Sequence, residues 1–188
     1  MNTTGIELGK SRSDCSAAQL DLLLTFVSAV QNIPGDIVEV GSWKCGASIM
    51  MASAAPHKYV FAFDLFGGLP YGEGKGFENF ASADWDEILA ATKPFRNLHL
   101  LRGQHETTVP TFASFGKPIS LIFLDSDHYS SHHTTLLSLC PLLSKGGLIV
   151  FHDWTFPEVQ KAVSEICKPE DYQMLRGNLL NMGALRRL

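Results

Sequence analysis

Residues 32–48 read NIPGDIVEVGSWKCGAS. Pro34 and Gly35 end whatever precedes them. DIVEV (36–40) is a short β-rich run, and Gly41 opens a turn. Gly46, Ala47 and Ser48 then begin a run of small residues and methionine, 46–55, that predicts a tightly packed helix. A strand, a glycine turn and a helix in this order let a ligand lie close to the backbone. The turn does not read as a phosphate cradle. A dinucleotide fingerprint needs GxGxxG, whereas Gly41-Ser42-Trp43-Lys44-Cys45-Gly46 has a tryptophan in the middle glycine's place. A Walker loop needs Lys after its second glycine, and Ala47 stands there instead.

The segments on either side set the fold class. Upstream, SAAQLDLLLTFVSAVQ places Leu20, Leu23, Leu24, Val27 and Val30 on one helical stripe, while residues 1 to about 15 read as polar and irregular. Downstream, KYVFAFD (58–64), LHLLRG (98–103), ISLIFLD (119–125) and LIVFHD (148–153) predict four more strands. Helical patterns separate them near 83–92, in ETTVPTF, in HTTLLSLCPLL (133–143) and in FPEVQKAVSEIC (156–167). KGG reads as a turn before the fifth strand, and YQMLRGN with NMGALRRL as an antiparallel edge hairpin. Uncharged strands alternating with helices imply an α/β fold, with a mostly parallel sheet covered on both faces. In such sheets ligands bind beyond the carboxyl ends of the strands. Those ends carry Glu39-Val40-Gly41, Asp64, Gly103-Gln104, Asp125 and His152-Asp153.

The 188 residues suit a single domain, with residues 1–31 as an N-terminal arm and helix. Residues 65–97, rich in glycine and carrying Phe66, Tyr71, Phe77, Phe80 and Trp85, are long enough for a lid over an acceptor. Packing of Trp85, Ile88 and Leu89 on the sheet is the plainer reading of part of that segment. A net charge of −4 without like-charge runs argues against nucleic acid or an anionic membrane as partner. No apolar run approaches the roughly 20 residues of a membrane span. Cys15, Cys45, Cys140 and Cys167 lack CxxC spacing and follow no signal sequence, which predicts reduced thiols and a cytoplasmic location.

A sulfonium nucleoside, S-adenosylmethionine, suits the first turn better than a phosphate ligand. It needs a close backbone turn for its amino-acid part and a carboxylate after the second strand for its ribose. Asp64 lies 23 residues beyond Gly41, near the interval of about 20 expected. Here the residues acquire a family likeness. IPGDIVEVGSWKCGAS resembles the first motif of class I methyltransferases, and in particular of the macrocin O-methyltransferase family. FAFDLFGGLP (61–70), LRGQHETTVPTF (101–112), ISLIFLDSDHYSSHHTTL (119–136) and LSKGGLIVFHDW (143–154) resemble that family's later motifs, in the same order. The resemblance implies a Rossmann-like methyltransferase fold and O-methylation of a small-molecule hydroxyl, with a sugar or natural product as acceptor. It implies S-adenosylmethionine bound by Glu39, Gly41, Ser42, Gly46, Ser48, Asp64, Gly103 and Gln104. The rivals are a relative of the same fold with a hydroxylase-like or other non-transfer role, a nicotinamide oxidoreductase, and a non-catalytic binding module.

Methyl transfer needs the acceptor oxygen in line with the methyl group and relieved of its proton. A divalent cation, Mg2+ or another, can serve both needs. In the family that it resembles, the fourth-strand aspartate and an acidic pair after the fifth strand hold the metal, which maps the ligands onto Asp125, His152 and Asp153. His152 replaces the first acid of the pair, so a transition-metal site and a metal-free site with His152 as base both stand. Asp125, Asp153 and His128 are the candidate catalytic residues. Asp127 reads equally well as a helix cap, His132 and His133 as surface histidines at a helix start, and Trp43 as a cofactor contact or core filler. The N-terminal helix and the edge hairpin are candidate contacts of a homo-oligomer.

Overall fold

The computed structural model describes residues 3–66, 84–126 and 130–188. Tyr71, Phe77, Phe80, Asp127 and His128 lie outside the described residues, as does most of the expected lid. In chain order the elements are α1 (Thr3–Arg12), α2 (Ala17–Ala29), β1 (Asp36–Val40), α3 (Gly46–Ala54), β2 (Val60–Asp64) and α4 (Trp85–Thr92). β3 (Leu98–Arg102), α5 (His105–Ala113), β4 (Ile119–Leu124) and α6 (Ser130–Leu139) follow. A short 3-10 turn (Cys140–Leu142) leads to β5 (Leu143–Phe151), α7 (Pro157–Ile166), β6 (Tyr172–Leu179) and β7 (Met182–Arg187).

The strands form one seven-stranded sheet in the order β3-β2-β1-β4-β5-β7-β6. β3 through β5 run parallel, and β7 joins β5 antiparallel, with β6 outside it. Leu180 and Asn181 turn the final hairpin in the left-handed region (φ 56° and 59°), as a two-residue turn matched to strand twist requires. Alternate residues of each central strand feed opposite cores. Ile37, Leu121, Phe123, Leu148 and Val150 face α1–α3, while Val38, Val40, Ile122, Leu124, Ile149 and Phe151 face α5–α7. Every residue of β4 is buried, which explains why that strand carries no charge before Asp125.

Three local expectations change. Residues 3–12 form a helix instead of an irregular arm. Its buried face is made by Gly5, Ile6 and Gly9, so a search for bulky apolar residues misses it. A Cβ on Gly9 would sit 2.6 Å from the Gly46 carbonyl oxygen and 2.9 Å from Met50 Cβ. The small residues let α1 lie directly on α3. The Lys145-Gly146-Gly147 segment is a bulge inside β5: β4 advances from Ile119 to Leu121 while β5 advances from Leu143 to Leu148. α6 starts at Ser130 and ends by Leu139, before the 3-10 turn that contains Pro141.

Candidate active site at the carboxyl edge of the sheet

The strand ends are tied to one another by backbone bonds. Gly103 N–H donates to the Asp64 carbonyl (3.0 Å), Gly41 N–H to Phe63 (2.9 Å), Asp125 N–H to Val40 (2.9 Å) and His152 N–H to Leu124 (2.9 Å). Gly103, Asp64, Gly41, Asp125 and His152 therefore form one continuous rim. Gly41 adopts φ +92°, and a Cβ there would fall on the Asp125 carbonyl of the neighbouring strand end. Trp43 and Cys45 also turn through positive φ (44° and 61°), which aims the turn's amides at the second strand. Asp64 Oδ2 accepts from Trp43 N–H (2.8 Å) and Oδ1 from Phe66 N–H (3.0 Å). Each of its oxygens thus keeps lone-pair capacity for a further donor such as a ribose hydroxyl. Gly103 is half-buried, and Gln104 is exposed with its side chain making no cap bond to α5.

Other residues assigned to the cofactor lie behind this rim. Glu39 is buried, pointing from β1 toward α3, where the Ser48 hydroxyl donates to its Oε2. Burial drives its pKa up to about 8; the Asp125 and Asp64 charges add to the rise, and the Ser48 and Ser42 hydroxyls oppose it. Ser48 is fully buried and Ser42 nearly so. Gly46 is packed against the chain at Arg12 and Ser13, where a Cβ would meet backbone. Gly46 and Ser48 thus shape the turn from inside the protein. Trp43 is half-buried against the α1–α3 core, with the Lys44 ammonium 4.5 Å from its ring centroid.

The polar cluster gathers around Asp125. His152 Nδ1 lies 2.9 Å from Asp125 Oδ1 and 3.3 Å from Asp153 Oδ2. Neither contact has hydrogen-bond geometry, so Nδ1 is buried beside both carboxylates without a hydrogen-bond partner. Burial opposes the imidazolium, but contacts with Asp125, Asp153 and Cys15 outweigh it and raise the His152 pKa. Cys15 Sγ donates to Asp125 Oδ2 at 3.4 Å, and burial pushes its thiol pKa up. Asp153 adopts φ +54° and accepts from Asn181 Nδ2 at 2.8 Å. Gln19 completes the group, with Nε2 2.9 Å from His152 Nε2. Asp125, His152 and Asp153 are brought together as expected from the sequence, whereas Cys15 and Gln19 were not foreseen. The one available signal was Ser16-x-x-Gln19, a capping box that starts α2; it gives no hint of His152.

Asp125, His152 and Asp153 would be the residues to hold the divalent cation that the family pattern implies, and the buried His152 Nδ1 has no hydrogen-bond partner of its own. Asp125 Oδ1 and Asp153 Oδ2 lie 2.9 Å and 3.3 Å from that nitrogen, and a cation held by these residues would grip the acceptor oxygens and make them more acidic. A softer metal would find Cys15, Asp125 and His152 ligand atoms within 4.8 Å of one another. It would also need a bare Nδ1. Gln19 Nε2, 2.9 Å from His152 Nε2, is the partner on the other side of the ring.

The remaining histidines stand apart. His105 pairs with Glu106 (3.2 Å), and His133 lies 3.7 Å from Glu165. His132, expected at the surface, is buried and stacked on Phe151 with centroids 6.2 Å apart. Trp85 packs on Phe66 and Ile88 is buried, but Leu89 is exposed.

A parallel sheet with this strand order, an inserted antiparallel β7 and an acidic rim defines the Rossmann-like methyltransferase fold. The profile described as macrocin-O-methyltransferase (TylF) matches residues 16–174, and the chain belongs to that family. It is 32% identical over 155 residues to demethyldecarbamoylnovobiocin O-methyltransferase of Streptomyces niveus, covering 71% of this chain and 58% of that protein. It is 28% identical over 172 residues to 8-demethyl-8-(2,3-dimethoxy-alpha-L-rhamnosyl)-tetracenomycin-C 4'-O-methyltransferase of Streptomyces olivaceus, covering 78% and 64%. The chain thus spans about three fifths of the length of the curated relatives it matches. The structure of the O-methyltransferase NovP superposes with a TM-score of 0.74 at 23% identity, over 90% of this chain and 79% of that one. That likeness shows the fold.

Proposed function

We propose that this chain is an S-adenosylmethionine-dependent O-methyltransferase acting on a hydroxyl of a small molecule, with a sugar on a natural product as the leading acceptor. Two relatives named for O-methylation of natural products support the reaction class, one of them through a rhamnosyl group. The observation that carries the cofactor assignment is Asp64. Its carboxylate holds the glycine turn through Trp43 N–H while each oxygen retains capacity for a hydroxyl donor.

When bound, the cofactor supplies an electrophilic methyl group on a sulfonium. Asp64 takes the ribose hydroxyls, and the Gly41–Ser42 turn and the Gly103–Gln104 step flank the bound nucleoside. Glu39, Gly46 and Ser48 serve this site from within, by keeping α3 and the turn in register. Asp125 and Asp153 orient the acceptor hydroxyl and draw its proton, and His128 remains a second candidate base. The segment around 65–97 would cover the acceptor. The further parts of the proposal are a single domain, a cytoplasmic location, a homo-oligomer and no nucleic-acid or membrane partner. Among the described residues no helix is long and apolar enough to cross a membrane.

Calorimetric titration with S-adenosylmethionine tests the assignment. Asp64→Ala is expected to weaken binding by about tenfold or more, since it removes a charge-assisted acceptor. Unchanged affinity would remove the ribose role. Transfer of a labelled methyl group to candidate glycosides tests the reaction itself.

A further inference from the structure

We propose that the open edge of β3 is a docking site for an extended acidic peptide segment of another protein, which joins the seven-stranded sheet as an added strand. The inference stands apart from the methyl-transfer reading, because it uses none of the residues assigned to the cofactor or the acceptor.

The sheet has two edges, β3 and β6, and they differ in how readily they take another strand. The pairing of β6 with β7 shifts register between Met174 and Arg176 and again between Arg176 and Leu179. Such irregularities blunt an edge. β3 pairs with β2 from Leu98 to Arg102 without a shift. Val60 N–H donates to the Asn97 carbonyl (2.8 Å) and Gly103 N–H to the Asp64 carbonyl (3.0 Å). In a parallel pair the groups that face the neighbour belong to alternate residues, here 97, 99, 101 and 103. Leu100 and Arg102 therefore direct their N–H and C=O groups away from β2, and no described strand lies beyond them.

Grooves flank this edge on both faces. On the α4 side, Trp85, Leu89, Phe95, Leu98 and Leu100 line a groove of about 610 Å3. On the α5 side, Leu101, Phe112 and Phe115 line one of about 360 Å3. Leu89 is 43% exposed and Phe115 70%, so both grooves present large apolar side chains to solvent. Successive side chains of an added strand point to opposite faces. They would enter the two grooves in turn, as in other cases of strand addition.

Charge selects the occupant. Lys93 and Arg96 border the larger groove and Arg102 the smaller, all three exposed. Lys117 Nζ stands 5.7 Å from the Phe61 ring, which stacks on His99 of β3. Among the described residues none of these four cations has a carboxylate within ion-pair distance. A second copy pairing β3 with β3 would bring the same cations together. Acidic side chains flanking an apolar centre match both the rim and the grooves.

The test titrates the full chain into a fluorescein-labelled peptide, Asp-Glu-Val-Phe-Val-Leu-Asp-Glu, and reads anisotropy, with amide exchange at Leu100 and Arg102 followed alongside. Saturable binding below about 1 mM is expected, with slowed exchange at both amides. Lys93→Glu combined with Arg96→Glu is expected to weaken binding at least about tenfold. Two versions of the peptide, N-methylated at alternate residues, separate strand addition from general charge attraction. Only one set of amides faces β3, so one version should bind like the parent and the other at least about tenfold more weakly. Absence of saturation, an unaffected double variant, equal binding of the two methylated peptides or unchanged exchange would each overturn the proposal. So would amides already protected in the free chain. Protection that rises with protein concentration would assign the edge to a second copy, and protection independent of concentration would assign it to the chain itself.

Discussion

Glu39→Gln should make the protein more stable, and increasingly so as pH rises. The carboxyl is buried between β1 and α3, with the Ser48 hydroxyl on its Oε2. Burial lifts its pKa from the ordinary 4.5 to about 8. Below the lower value both folded and unfolded chains hold the proton, and the group exerts no pH-dependent effect. Between the two values the unfolded chain has lost the proton while the folded chain keeps it. The folded state then binds more protons, so stability falls as pH rises. At pH 7 the unfolded carboxyl is about 2.5 pH units past its pKa, at about 1.36 kcal/mol per unit. The loss relative to acid conditions is therefore about 3 kcal/mol, and it levels off near pH 8.

Gln has the same shape, retains an oxygen for the Ser48 hydroxyl and does not ionise. Urea unfolding of both proteins from pH 4.5 to pH 8 provides the assay, and subtracting the curves cancels every other titrating group. The expected difference is within about 1 kcal/mol at the acid end, from the altered hydrogen bond alone. It should grow to about 3 kcal/mol at pH 7 in favour of Gln. A difference that stays flat with pH would show that Glu39 is ionised inside the fold, and the account of its burial would fail.

Two further substitutions test the packing around the turn. Gly41→Ala places a methyl group on the Asp125 carbonyl at a φ of +92°; a loss of about 4 kcal/mol or more is expected in the same unfolding assay, and a loss under about 1 kcal/mol would refute the close approach. Gly9→Val drives a branched side chain into the Gly46 carbonyl and Met50; α1 should leave α3, so that residues 3–12 become sensitive to protease while the sheet stays folded, and unchanged protection would refute the packing.

The alternation that built the sheet was legible because it is local. An uncharged run such as ISLIFL has to be buried on both faces, and the first charge after it, Asp125, has to mark where the strand leaves the core. The same reasoning located Asp64 and the His152-Asp153 pair at strand ends on the same edge of the sheet. It failed where a residue's task depends on distant chain. α1 packs through glycines, which leave no apolar signature. Gly46 and Ser48 looked like ligand contacts because they follow a glycine turn, yet one abuts Ser13 and the other holds a buried carboxyl. Cys15 meets Asp125 across 110 residues, and Gln19 meets His152 across 133. The capping box shows how such a role escapes notice. Ser16 and Gln19 account fully for each other as a helix start, so nothing in their spacing asks for another partner. Yet the same amide that caps the helix also reaches the Leu180 carbonyl and the His152 ring. A helix terminus thereby touches the residue that ends the fifth strand, a contact that only tertiary structure creates.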